Sequence, residues 1–154
     1  MKNTFILLVL SLVVFSAKAQ QKSTAKPVTT TLPKLTISMG GNKSGNLTID
    51  QLKKIVDSPL IAKDEKGITY QIKSFRINYT FKSSYKDEET QQTRNIKDFR
   101  AFDFNNTDRL SEDWKNSIKD NVKKDDEMLI NNVVVRLTNG KSFFAPELKL
   151  RILQ

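Results

Sequence analysis

The sequence predicts a mainly β protein: an immunoglobulin-like antiparallel β-sandwich with two short helices. Three observations carry this. The stretch Gly67–Phe81 places Ile68, Tyr70 and Ile72 on one parity and Phe75, Ile77, Tyr79 and Phe81 on the other. Side chains alternate between the faces of a strand, so a parity change within one run marks a bulge or a strand that switches sheets. Met128–Leu137 repeats the trait, with Met128 and Ile130 on one parity, Val133, Val135 and Leu137 on the other, and Asn131-Asn132 as the bulge. Thr138-Asn139-Gly140-Lys141 then carries the Asn-Gly centre of a type I′ hairpin turn between two apolar runs.

In chain order, residues 1–19 read as a signal peptide. Lys2 supplies the basic start, Phe5–Phe15 is apolar but for Ser11, and Ala17-Lys18-Ala19 offers small residues for cleavage between Ala19 and Gln20. Such a stretch spans roughly 17 Å as a helix, short of a bilayer core, so no permanent membrane anchor is expected. Residues 20–34 are rich in Thr, Lys and Pro and read as a linker. One domain is expected over residues 35–154.

Leu35–Met39 fits a first short strand closed by Gly40-Gly41, with Asn42–Asn46 as a loop. Thr48 and Gln51 form a capping-box pattern ahead of Ile49, Leu52, Ile55 and Val56, which predicts a helix over about 49–57, ended by Pro59. Leu60-Ile61-Ala62 is a buried extended piece before a turn at Asp64–Gly67. Lys82–Asp98 is polar, with a charge run at Lys86–Glu89, and reads as a long hairpin tip or mobile loop, and Phe99–Phe104 as a strand with Phe102 and Phe104 on one face. Ser111 is placed to cap a second helix, with Glu112 and Asp113 in its first turn and Trp114 and Ile118 on its buried side. Phe143-Phe144 opens the return strand, Pro146 breaks it, and Leu148, Leu150 and Ile152 alternate to the end.

Composition narrows the chemistry. The chain has no Cys and no His, which removes disulfides, thiol nucleophiles, the common triads and nearly all zinc and copper sites. Its formal charge is +9; without Lys2 and Lys18, 24 Lys and Arg face 17 Asp and Glu, leaving +7. That balance favours anionic neighbours.

Four motifs invite chemistry, and each has a plainer reading. Gly40–Gly45 resembles a phosphate loop but has Asn42 where a glycine must precede the lysine, so a turn is expected. Asp103, Asn105 and Thr107 suggest a calcium loop, yet Asp108 and Trp114 stand where Gly and Glu are required. Asp125, Asp126 and Glu127 read as a solvated turn rather than an acid–base pair; a carboxylate-based hydrolase of envelope glycans would need two acids facing one groove. The pairs Lys53-Lys54 and Lys123-Lys124, with Arg76, Arg136 and Arg151, lack the interleaved exposed aromatics of a nucleic-acid reader. No catalytic, cofactor-binding or metal-binding residue is assigned, and no nucleic-acid partner is expected.

The ordered set Gly40-Gly41, Gly45, Leu52, Leu60-Ile61-Ala62, Tyr70 to Phe75, Leu110-Ser111, Ile118, Asp126, Ile130, Val133 and Asn139-Gly140 resembles the C-terminal domain of GldM, of the gliding-motility and type IX secretion machinery. The similarity covers roughly residues 39–154. It implies a β-sandwich acting in the periplasm by protein–protein contact, without catalysis, among envelope proteins such as type IX secretion or gliding components. GldM itself has a transmembrane helix and a long periplasmic shaft. This chain departs from it in having a cleavable signal, a short linker and the terminal domain alone, so the expected role is that of an accessory or adaptor. The alternative is a secreted basic protein that binds an anionic envelope surface, lipid or glycan.

Overall fold

Alternation dictates most of what forms. The computed structural model describes residues 32–137 and 139–153. The expected signal peptide, linker residues 20–31 and Thr138 lie outside them. Leu35, Ile37 and Met39 point inward along β1 (Leu35–Met39), which pairs antiparallel with β3 (Leu60–Asp64). Between them lie β2 (Gly45–Leu47) and α1 (Ile49–Ile55). The capping box forms as the sequence predicts: Gln51 N–H donates to Thr48 Oγ1 at 3.2 Å and Thr48 N–H to Gln51 Oε1 at 2.8 Å. Gly40 stands at φ +53° in the turn after β1, and a Cβ there would lie 2.9 Å from Ile55 Cβ. Gly40→Ala should therefore lower stability by about 2 kcal/mol, read as a shifted urea midpoint. An unchanged midpoint would refute this packing.

The long strand β4 (Thr69–Lys86) organises the rest. It meets β3 at Ala62–Tyr70 and Lys63–Thr69, then runs beside β6 (Glu127–Arg136) from Gln71 to Thr80 and beside β5 (Thr93–Asn105) from Ser74 to Lys86. The parity change is a pair of facing bulges. Between Ile72–Val135 and Ser74–Val134 the extra residue is Lys73; between Ser74–Val134 and Arg76–Asn131 the extra residue lies on β6, where Asn132 adopts φ +49°. Both strands thus return Phe75, Ile77, Tyr79, Met128 and Ile130 to the face already occupied by Ile72, Val133 and Val135. Ile68 is the exception, half exposed ahead of β4.

β7 (Ser142–Phe144) and β8 (Leu148–Ile152) pair in succession with β6, separated by the break at Pro146. The hairpin turn differs from the sequence expectation. Its closing bond runs from Gly140 N–H to Leu137 C=O, with Gly140 at φ +82°. A two-residue turn centred on Asn139-Gly140 would close one position later, so the glycine acts as a bulge residue after the turn. β2, unforeseen in the stretch Asn42–Asn46, pairs parallel with β8. α2 (Glu112–Asn121) buries Ile118 and packs Trp114 edge-on against Phe104, ring centres 6.5 Å apart. Ser111 occupies the N-cap position but its side chain makes no cap bond.

The hydrogen-bonded path β1-β3-β4-β6-β8-β2 curls around one apolar core to which both helices contribute. This is the mainly β, sandwich-like fold that the sequence predicts.

Of the two readings of Lys82–Asp98, the long hairpin tip holds and the mobile loop does not. β4 continues to Lys86, β5 begins at Thr93, and a short turn joins them. The ribbon projects past the core, is solvated on both faces, and so loses hydrophobic alternation while keeping its backbone ladder. Asp87 closes the turn, accepting from Thr90 N–H at 2.9 Å and Glu89 N–H at 3.1 Å while meeting Arg94 Nε at 3.1 Å. The Thr90 N–H leads in holding the Asp87 carboxyl below its ordinary value.

Candidate functional site

Where the ribbon leaves the core, its inner face turns toward α2 and leaves a cleft of about 460 Å³. β4 supplies Tyr79, Phe81 and Lys82, β5 supplies Asn95 and Arg100, α2 supplies Trp114 and Ser117, and Lys123 follows α2. Register explains the placing of Arg100: it lies opposite Tyr79, on the parity of Phe102 and Phe104, so it faces the side where the core would continue. Its guanidinium lies 5.6 Å from the Phe81 ring centre and donates to Ser117 Oγ at 3.2 Å.

Electrostatics single this cleft out. Lys82, Arg100 and Lys123 line it and no carboxylate does. Lys82 reaches outward to Asp125 at 2.7 Å, and that ammonium holds the Asp125 carboxyl below its ordinary value. Among the described residues, Arg100 and Lys123 form no ion pair. A guanidinium over Phe81, with an unpaired ammonium and Trp114 in the same lining, suits an anionic group carried on an apolar stem.

Tyr79 anchors the cleft wall from below. Its hydroxyl donates to Asp126 Oδ2 at 2.7 Å, and Lys123 N–H donates to the same oxygen at 2.8 Å. Asp126 is fully buried, and its Oδ1 has no protein partner. Burial, then the bond to Asp126, pushes the Tyr79 hydroxyl far above its ordinary value.

The expected solvated turn of acids is therefore corrected in its middle member. Asp125 meets Lys82, Asp126 turns inward to Tyr79, and Glu127 meets Lys149 at 3.1 Å; Asp125 and Glu127 line one small hollow with Lys82, Lys97 and Arg151, and Asp126 does not. Asp103 bonds Arg76 at 2.7 Å, and Thr107 Oγ1 accepts from Arg109 N–H at 3.0 Å, the geometry of a strand end and turn. Gly40-Gly41 form a tight turn bridged by Met39 and Asn42. Lys53-Lys54 sit in the last turn of α1, and Arg136 and Arg151 on β6 and β8; of the basic residues singled out above, Lys123 alone lines the cleft. Sequence reasoning missed the cleft, although Arg100 at core parity among phenylalanines was a readable signal.

No helix among the described residues is long and apolar enough to cross a membrane. No protein-family model matches the chain, and no curated protein matches it.

Proposed function

We propose that this chain is a non-catalytic protein–protein interaction module of the exported envelope, similar to the GldM C-terminal domain and serving as an accessory or adaptor of a gliding or type IX secretion apparatus. The carrying observation is the free edge of β5. Among the described residues this thirteen-residue strand pairs only with β4, and Ile96, Phe99 and Phe102 along it are 42%, 68% and 51% exposed. A long edge with unpaired backbone groups invites an added strand, and its exposed aromatics offer anchors. The resemblance supplies the class of partner.

A photo-crosslinking residue at position 99, in the tagged chain exported by cells, should capture an envelope protein that the same residue at position 54 on α1 does not. Phe99→Lys, which alters a side chain outside the core, should change stability by less than about 0.5 kcal/mol yet weaken capture. Equal capture from both positions, or none from 99, overturns the reading. The surplus of cations supports the second reading, an anionic envelope surface as partner. In that case binding to anionic vesicles should fall steeply with salt.

A further inference from the structure

We infer that the cleft between α2 and the β4–β5 ribbon receives carboxylate side chains of an acidic, extended segment of the protein that docks on β5. This rests on the interaction-module reading and adds the partner's chemistry. Three observations converge on it.

The cleft and the edge share a strand. Arg100 and Asn95 belong to β5 and line the cleft, so a segment laid along β5 passes its opening. Side chains of an added strand alternate, so every second one, about 7 Å apart, turns toward this side of the sheet.

The charge is one-sided. Lys82, Arg100 and Lys123 line the cleft; the Lys82 ammonium is engaged by Asp125, and Arg100 and Lys123 form no ion pair among the described residues. Asp113 borders the adjoining hollow with Arg100 and Trp114, and neither it nor Asp125 lines the cleft itself. An acidic side chain would be drawn past that hollow into the cleft.

Arg100 is also held ready. Ser117 Oγ takes one of its five donors and the Phe81 face supports its plane, which leaves the rest of the fork for a carboxylate. Phe81 and Trp114 would cover the methylenes of a glutamate. The concavity decides between occupants: a bilayer presents its anions on a broad plane and is met best by cations on a convex face. Arg100 and Lys123 line a re-entrant space between a helix and a ribbon.

Trp114 is the only tryptophan in the chain and lines the cleft, so its emission reports occupancy there. The whole chain is titrated with a capped eight-residue peptide alternating Val and Glu. The comparison ligands are the Val–Lys peptide, inorganic phosphate and phosphatidylglycerol vesicles. A saturable emission change with the Val–Glu peptide alone is expected, weakened about fivefold by Arg100→Gln, the loss typical of an exposed charge pair. Lys123→Gln, at an exposed position, provides a second variant should Arg100→Gln perturb the fold; it should weaken the response in the same direction. No response to the Val–Glu peptide, unchanged binding by both variants, or an equal response to phosphate or vesicles overturns the inference. Position-specific capture at residue 99 tests the docking edge separately, so the acidic-segment inference can fall while the interaction reading stands.

Discussion

Phe75→Ala should destabilise the domain by about 3–5 kcal/mol, the largest loss expected from a single truncation here. Phe75 is 2% exposed and stacks on Phe104 with ring centres 4.9 Å apart and planes 16° from parallel. It stands two residues past the Lys73 bulge and opposite the bulge of β6, the irregularities that restore its strand to the core face. Truncation removes the ring from water-free packing and leaves a cavity between β4, β5 and α2, whose Trp114 leans on the same Phe104. Urea unfolding of Phe75→Ala beside Phe102→Ala makes the test internal. Phe102 lies one pair along the same face but is half exposed, so its loss should be about 1 kcal/mol. Equal losses at the two positions would show that the bulges do not place Phe75 as described.

Asp126→Ala should cost about 2–4 kcal/mol, because it orphans two donors at once, the Tyr79 hydroxyl and the Lys123 N–H. The cost is offset in part because Oδ1, buried and unpartnered, disappears too. Asp126→Asn keeps one oxygen that can accept from both donors, as Oδ2 does, but without the negative charge, and should fall between. Tyr79→Phe gives the complementary result with a pH signature. In the unfolded chain the Tyr79 phenol ionises near pH 10. In the folded chain its ionisation is pushed far higher by burial and by Asp126. The native state keeps a proton that the unfolded state sheds, so this contribution is fully present below about pH 10 and is lost as pH rises beyond it. Stability of the parent should therefore fall more steeply above pH 10 than that of Tyr79→Phe. Tyr70, whose hydroxyl is also raised by its bond to Asp64, is common to both and cancels in the difference. Parallel alkaline slopes would show that Tyr79 is not buried against Asp126.

Elements whose side chains carry a periodic signal were legible in the sequence. The double parity change in β4 and β6 announced two bulges, though not that they would face each other and so preserve pairing. Thr48 and Gln51 announced the start of α1 because a capping box is satisfied within four residues. Illegible elements lacked that local signal. β2 offers only Leu47 to the core and exists because β8, about a hundred residues away, supplies its ladder. The outer ribbon has no buried face, so nothing in its side chains distinguished strand from loop. Asp126 looked like its neighbours Asp125 and Glu127 because burial of one acid among three is decided by Tyr79, forty-seven positions earlier.

Alternation, capping and turn chemistry, all satisfied within a few residues, were enough to determine that this chain makes a mainly β, sandwich-like domain with two short helices. Tertiary structure alone decided that Arg100, Lys82 and Lys123 line one cleft, that Asp126 lies beneath it, and that β5, among the described residues, pairs only with β4. The reason is physical: a local pattern reports which face of an element is buried. What stands opposite that face depends on pairings between residues distant in the chain, which no short window of sequence contains.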